Sequence, residues 1–177
     1  LQIFEQRYLD LIRDCMKSSS GFGVVWLRRG EEVAPGPGQQ QLGDTGTVAR
    51  IVDFDQLPNG LLGVTIQGRE RFRLSDTRVA KNGLVVGDVA LEAMPEAAAL
   101  DEEWSPLREI LENLGQHPHV RRMGLDIDFE DAWQVGYTLA QLLPLDESLK
   151  YALLNADDVD EMMDQLDLIL SEISGEG

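Results

Sequence analysis

The chain lacks the residue types and motifs that most often reveal a chemistry. Cys15 is its only cysteine, so an internal disulfide is impossible, and we expect a protein of a reducing compartment, the cytoplasm. No apolar run approaches the roughly 20 residues that span a bilayer, so we expect no membrane segment. A Gly-x-x-x-x-Gly-Lys-Ser/Thr phosphate loop and a Gly-x-Ser-x-Gly nucleophile motif are both absent. These absences predict a protein that is not an enzyme and uses no cofactor.

Metal-ligand patterns are incomplete as well. His117 and His119 are the only histidines, and they flank a proline with no cysteine nearby, which is not the spacing of a zinc site. Residues 126–130 imitate the start of a calcium loop, but Asp131 stands where that loop needs glycine for its sharp turn. We therefore expect no metal site.

Basic residues are scarce in the second half of the chain. Residues 1–100 hold 11 Lys and Arg against 13 Asp and Glu, and residues 101–177 hold 4 against 19, so the two parts carry −2 and −15 and sum to −17. Because nucleic-acid backbones are bound through Lys and Arg, nucleic acid is not an expected partner of the acidic part. Many of its carboxylates fall where helices are predicted to begin, and there they complement the helix dipole.

Hydrophobic periodicity predicts one helix followed by strands in residues 1–95. Phe4, Tyr8, Leu11, Ile12 and Cys15 recur at spacings of three and four, which predicts a helix over residues 3–17. Strands rich in β-branched residues are predicted over 22–27, 47–54, 61–67, 69–79 and 84–93.

Turn formers connect these strands. Asn59-Gly60 and Asn82-Gly83 lie between predicted strands and suit the positive φ angles of hairpin turns, so the strands are expected to be antiparallel. Residues 34–41 are dense in Pro, Gly and Gln and predict a mobile surface loop.

The pattern changes near residue 95, where a β-rich domain, 1–95, is predicted to give way to an acidic α-helical bundle, 96–177. Ser105 is predicted to cap a helix that begins at Pro106. Further helices are predicted from near Asp128 to Leu143, from Asp146 to Leu154, and from Asp157 or Asp158 through Ile173.

Irregularly spaced runs of residues recur together along nearly the whole chain. They are Ile3-Phe4-Glu5 with Arg7-Tyr8-Leu9, Phe22-Gly-Val-Val25, Val48 to Leu57, Gly63 to Gly68, Gly68-Arg-Glu-Arg-Phe-Arg73, and Leu142-Leu-Pro-Leu145 with Leu153-Leu154. Together these runs resemble the amino-terminal, substrate-recognition domain of Lon proteases. Members of that family begin with a strand rich in Pro, Leu and Phe, so we expect a strand before Leu1.

The resemblance implies an α+β fold: an open, antiparallel, PUA-like β-barrel of five or six strands with one packed helix, followed by an α-helical bundle. It implies non-enzymatic recognition of unfolded or partly folded protein substrates, with a protease or a chaperone as a further partner. One alternative is an RNA-binding PUA-like module. Another is the amino-terminal fragment of a complete ATP-dependent Lon protease, whose Ser-Lys dyad lies in a module that this chain does not contain.

Apolar side chains beside the first predicted hairpin turn form the candidate partner site. Phe54, Leu57, Leu61 and Leu62 flank this turn, and a hairpin end cannot bury all four. An exposed apolar patch suits an unfolded peptide, and an open sheet edge can accept an extended segment through backbone hydrogen bonds. The alternative is that Phe54 and Leu62 belong to the core.

The RNA-binding alternative depends on a basic stripe. Arg69, Arg71 and Arg73 are spaced by two, which places their guanidinium groups on one face of a strand, and Arg50 extends the set. The alternative is a solvated outer face that nearby acidic residues balance.

Overall fold

The computed structural model describes residues 1–29 and 41–175, and the chain forms two compact units. The first unit, Leu1–Met94, contains a sheet and one helix, and the second, Pro95–Gly177, is helical. The predicted α+β class is therefore confirmed. The division at residue 95 into separately folding domains stays a prediction.

Five strands and six α-helices lie within the described ranges. Their bounds in chain order are β1 (Gln2–Ile3), α1 (Gln6–Ser18), β2 (Phe22–Arg29), β3 (Gln41–Gln56), β4 (Leu62–Val79), β5 (Val85–Leu91), α2 (Ser105–Gly115), α3 (Pro118–Met123), α4 (Ala132–Leu142), α5 (Glu147–Leu154) and α6 (Val159–Ser174). Each of these helices is too short or too polar to cross a membrane.

The sheet is antiparallel throughout. Its order is β1-β4-β3-β2, and β5 also pairs with β4. Both predicted hairpin turns are confirmed: Gly60 and Gly83 have φ angles of 82° and 83°, and the turns close through hydrogen bonds from Leu57 N to Leu61 O and from Ala80 N to Leu84 O. Only glycine adopts such angles without strain.

The strand prediction for residues 61–79 is wrong in one respect. Two strands, 61–67 and 69–79, were expected, but β4 runs unbroken from Leu62 to Val79. The strand continues because Gly68 still pairs with Ala49, and shifts in register between Thr47 and Ala49 bend the strands without a turn. The loop predicted over residues 34–41 lies outside the described ranges except for Gln41, the first residue of β3.

The core of the first unit lies between α1 and the sheet. Ile3, Ile12 and Val64 are buried there, and the partly buried Tyr8, Leu9, Phe22, Ile51, Leu62 and Ile66 pack against them. The helix begins at Gln6 and not at residue 3, because Ile3 pairs with Leu62 as part of β1. Phe4, which was expected on the buried helix face, is 63% exposed for the same reason.

The core of the second unit is a set of apolar side chains from α2, α4, α5 and α6. Its most buried members are Leu107, Leu111, Val135, Leu139, Leu153, Met162, Met163 and Leu166. The capping prediction at Ser105 is wrong, because a 3₁₀ turn over Glu102–Trp104 runs directly into α2 and Ser105 is already helical.

Capping carboxylates explain where α4, α5 and α6 begin. Asp146 accepts hydrogen bonds from Ser148 N and Leu149 N, and Asp158 accepts one from Glu161 N, as expected of helix caps. The helix predicted from near Asp128 begins only at Ala132, because the Asp131 carboxylate accepts the N–H of Trp133 and stops the helix there.

Candidate functional site

Phe54 lies near the end of β3 with 54% of its surface exposed. Its cross-strand partner is Val64, which is only 3% exposed. Cross-strand partners share a face of the sheet, so both side chains point to the side on which α1 packs. Val64 belongs to the core cluster on that side, whereas Phe54 does not. A large aromatic side chain is thus half in solvent at the margin of the core.

Two open grooves meet at Phe54. One, of about 290 Å³, is bordered by Leu1, Leu57 and Val64, and the other, of about 340 Å³, runs between Met16 and Val52 along the end of α1. Leu1, Met16 and Val52 are 60%, 45% and 53% exposed. We name five of the apolar residues that line these grooves the Phe54 surface: Leu1, Met16, Val52, Phe54 and Leu57.

The structure separates the four residues that the sequence proposed for this site. Phe54 and Leu57 line the grooves, and Leu57 lies against the backbone of Gly63. Leu62 packs into the core cluster, as its alternative interpretation holds, and Leu61 is half-buried outside both grooves. As binding residues, all four stay predictions.

Beside the Phe54 surface, β3 has a free backbone edge. The pairing of β2 with β3 ends at Phe22 and Ala49, so within the described residues no strand lies beside Arg50–Gln56 on that side. Val64 exchanges both of its backbone hydrogen bonds with Leu1, on the side away from β3. Phe54 and Val64 are therefore a non-hydrogen-bonded pair, and the N–H and C=O of Phe54 point to the free edge.

The predicted basic stripe is only partly compensated by negative charge. Arg71 and Arg73 both contact Glu92, at 3.1 and 2.7 Å, and Arg73 also donates to Thr45 Oγ1 at 2.7 Å. Arg50 donates from Nη1 to the carbonyl oxygen of Ser19. Arg69 is exposed on the same strand, and no ion pair joins it to another part of the chain that the structure describes.

Sequence reasoning missed Met16 and Val52. Met16 follows Ile12 by four residues, and this helical spacing is the signal that could have identified it. No sequence signal identifies Val52, since it lies where the register of β3 and β4 shifts between Ile51 and Asp53. Across residues 1–29 and 41–175, no group of three or more His, Cys, Asp and Glu side chains could hold a metal ion.

Comparison with known proteins gives the same family throughout. The model of the ATP-dependent protease La (LON) substrate-binding domain matches residues 1–172. A Lon N-terminal domain protein from Xanthomonas campestris has a similar structure, with a TM-score of 0.71 and 37% identity over 94% of this chain and 85% of that one. The N-terminal domain of a Mycobacterium avium complex Lon protease shares the fold, with a TM-score of 0.52 and 17% identity over 84% of this chain and 89% of that one.

Two Lon proteases are similar over shorter stretches. Lon protease 2 of Myxococcus xanthus is 36% identical over 74 residues, which are 42% of this chain and 9% of that protein. The Lon protease of Anaeromyxobacter dehalogenans (strain 2CP-C) is 30% identical over an alignment of 105 residues that covers 53% of this chain and 12% of that protein. The matched stretches thus cover only about a tenth of the length of these relatives. Because the family model covers nearly every residue, the chain belongs to the Lon substrate-binding domain family, a family of non-catalytic modules.

Proposed function

We propose that the Phe54 surface binds extended apolar segments of unfolded or partly folded proteins. The observation that carries this proposal is the exposure of Phe54, 54%, at the point where two open grooves meet. Contiguous exposed apolar groups on a soluble domain mark sites of interaction. An unfolded chain offers the complementary apolar side chains.

The free edge of β3 supports the same proposal by a second mechanism. A segment that lies beside Arg50–Gln56 can hydrogen-bond to the backbone of Phe54, whose N–H and C=O point outward. Such bonds do not depend on the sequence of the segment, while alternate side chains of the segment contact the grooves. This combination suits a module that must accept many substrates.

The apolar contact supplies a modest affinity. Covering the exposed half of a Phe side chain removes about 100 Å² from water, which contributes about 2.5 kcal/mol. Ordering of the segment offsets part of this gain. We therefore expect Phe54 alone to account for about a tenfold difference in affinity, which corresponds to about 1.4 kcal/mol.

The test measures how tightly the chain binds an unfolded protein. The ligand is a fluorescently labelled protein kept unfolded by reduction and carboxymethylation, and its binding is followed by fluorescence anisotropy. Phe54→Ala should weaken binding about tenfold, and Phe54→Ala with Leu57→Ala more strongly, while circular dichroism shows an intact fold. Leu91→Ala is the matched control, because Leu91 is 64% exposed on β5, away from both grooves. Equal binding by the wild-type and Phe54→Ala proteins would reject the Phe54 surface.

The RNA-binding alternative has weaker support, since Arg71 and Arg73 both already contact the Glu92 carboxylate. Salt separates the two functions. Binding to RNA weakens steeply as salt rises, because counterions are released, whereas apolar capture does not.

We also propose that captured segments pass to an ATP-dependent protease, in the same polypeptide or in a separate one, because the relatives named above are Lon proteases. The open reading frame beyond Gly177 distinguishes these two arrangements. A reducing, cytoplasmic setting agrees with a buried free thiol at Cys15.

A further inference from the structure

Asp53 and Asp55 occupy the free edge of β3. Asp53 Oδ1 accepts the N–H of Phe54 at 2.9 Å, and Asp55 Oδ1 accepts the N–H of Gln56 at 2.7 Å. Phe54 and Gln56 are two residues apart, so both N–H groups point to the same, unpaired side of β3. Each outward-facing donor is thus held by the carboxylate of the preceding residue.

Neither carboxylate has a cationic partner among the side chains that the structure describes. No ion pair joins Asp53 or Asp55 to Lys or Arg within residues 1–28 and 41–175. Three other acidic residues of the same sheet are paired, namely Asp44 with Arg28 at 2.9 Å, Asp88 with Arg78 at 3.4 Å, and Glu92 with Arg71 and Arg73, whereas Glu70 and Asp76 join no Lys or Arg among the described residues. Two negative charges that pair with no cation of these residues therefore flank Phe54.

We infer that the free edge of β3 selects extended segments in which a Lys or Arg lies next to an apolar side chain. This inference rests on the proposed function, since the apolar side chain is the one that contacts Phe54. When a segment pairs with β3, its carbonyl oxygens replace the carboxylates at Phe54 N and Gln56 N. The released carboxylates of Asp53 and Asp55 then pair with the cation of the segment.

Charge complementarity favours this occupant over an acidic or neutral one. An acidic side chain at the same place would meet two like charges on a chain whose net charge is −17. Because the carboxylates are exposed, each new ion pair contributes little, and we expect about a fivefold preference in total. The preference should shrink as salt rises, because exposed charges are screened.

The test uses three labelled peptides that share one apolar, strand-forming core and carry Lys, Gln or Glu on both sides of its central Phe. At low salt, the Lys peptide should bind about five times more tightly than the Glu peptide. In the variant Asp53→Asn with Asp55→Asn, this ratio should fall to between one and two. The Gln peptide should bind that variant within twofold of wild type, since asparagine can still accept the two backbone hydrogen bonds.

Asp76→Asn with Asp88→Asn is the matched control. These residues pair across β4 and β5, and Asp76 Oδ1 accepts the N–H of Thr77 at 2.7 Å, as Asp53 does for Phe54. The control changes the net charge by the same amount and should keep the fivefold ratio. A ratio that falls equally in both double variants would overturn the inference, because the field of the whole chain would then be the cause.

Two further results would count against the inference or against the proposed function. If Asp53→Asn with Asp55→Asn only makes the protein self-associate in ultracentrifugation and leaves the Lys-to-Glu ratio unchanged, the carboxylates merely keep copies apart and the inference is overturned. If Phe54→Ala leaves binding of the Gln peptide unchanged, the proposed function itself fails. The first result concerns the charge preference and the second the apolar contact, so the two failures are distinguishable.

Discussion

Arg7 of α1 donates a hydrogen bond from Nη1 to the backbone carbonyl of Gly83, 2.8 Å away in the turn between β4 and β5. The guanidinium also contacts Glu5 at 2.9 Å and lies 4.6 Å from the ring centre of Tyr8. Arg7 is only 7% exposed, so this buried charge joins the first helix to a distant hairpin. The hydrogen bond from Arg7 to Gly83 thus links two residues that are 76 positions apart in the chain.

Replacing Arg7 tests this connection. We expect Arg7→Ala to lower the free energy of unfolding by about 3 kcal/mol, because it removes the bond to Gly83 and leaves Glu5 without its cation. Urea titration measures the change. Arg13→Ala is the control, since Arg13 pairs with Asp10 and Asp14 on the exposed face of the same helix and should cost less than about 1 kcal/mol. Equal losses for the two variants would contradict a special role for Arg7.

Phe72 requires the glycine beside it. Gly46 is its cross-strand partner, and a Cβ at Gly46 would meet the Phe72 ring and lie 2.6 Å from the carbonyl oxygen of Val24. Because neither backbone nor buried ring can move freely, we expect Gly46→Ala to lower the melting temperature and cost more than about 2 kcal/mol. Gly115→Ala has no atom within 4 Å of the new Cβ and should be neutral or stabilising. A Gly46→Ala protein with wild-type stability would show that the ring is not held against this glycine.

The Asp131 carboxylate connects the start of the second unit to α4. It accepts the N–H of Trp133 at 3.2 Å, the N–H of Ala98 at 3.3 Å and the side-chain amide of Gln134 at 3.2 Å. Asp131→Ala leaves these donors unsatisfied in a site that is 8% exposed, so we expect a loss of about 2 kcal/mol. Thermal unfolding followed by circular dichroism measures it. Asp126→Ala, at an exposed neighbouring position, should change stability by less than about 0.5 kcal/mol.

The carboxylate of Asp146, which caps α5, makes the stability of the protein depend on pH. The Ser148 hydroxyl and then the Leu149 N–H donate to its carboxylate and hold the pKa of Asp146 below its ordinary value of 3.8. The pKa of Asp146 is lower in the folded chain than in the unfolded chain, so the ionised carboxylate stabilises the fold. This stabilisation is complete above pH 3.8 and is lost as the pH falls through the pKa of the folded state.

Asp146→Asn retains a capping oxygen but cannot ionise. We expect the melting temperature of wild type to exceed that of the variant near pH 6, and this difference to shrink below pH 3.8. Melting curves of both proteins from pH 2.5 to 7 check it. A difference that is constant across this range would show that the charge of Asp146 contributes nothing.

The second unit should fold without the first. Residues 96–177 contain a cluster of well-buried apolar side chains contributed by four helices. We expect the polypeptide 96–177 alone to show a helical circular dichroism spectrum and one cooperative unfolding transition. A spectrum of random coil would instead show that the predicted boundary at residue 95 does not separate independent domains.

Local chemistry made part of this architecture predictable. The Asn-Gly turns at residues 59–60 and 82–83, and the caps at Asp146 and Asp158, depend on residues within a few positions of one another. Their geometry is therefore present in the sequence. The beginning of α4 was misplaced because Asp128 and Asp131 are both good caps, and the contact of Asp131 with Ala98 decides between them.

The sequence by itself determined the hairpin turns and the presence of apolar groups beside residue 60, because these follow from residue types and short spacings. Its resemblance to Lon substrate-recognition domains indicated the family and the α+β class. Tertiary structure alone decided that Leu62 is core while Phe54 is exposed, since this depends on which side chains of the sheet α1 packs against. It also decided that β3 extends past β2, which leaves a free edge beside Asp53 and Asp55. No local pattern encodes the lengths of two paired strands relative to each other, so only the folded chain reveals this surface.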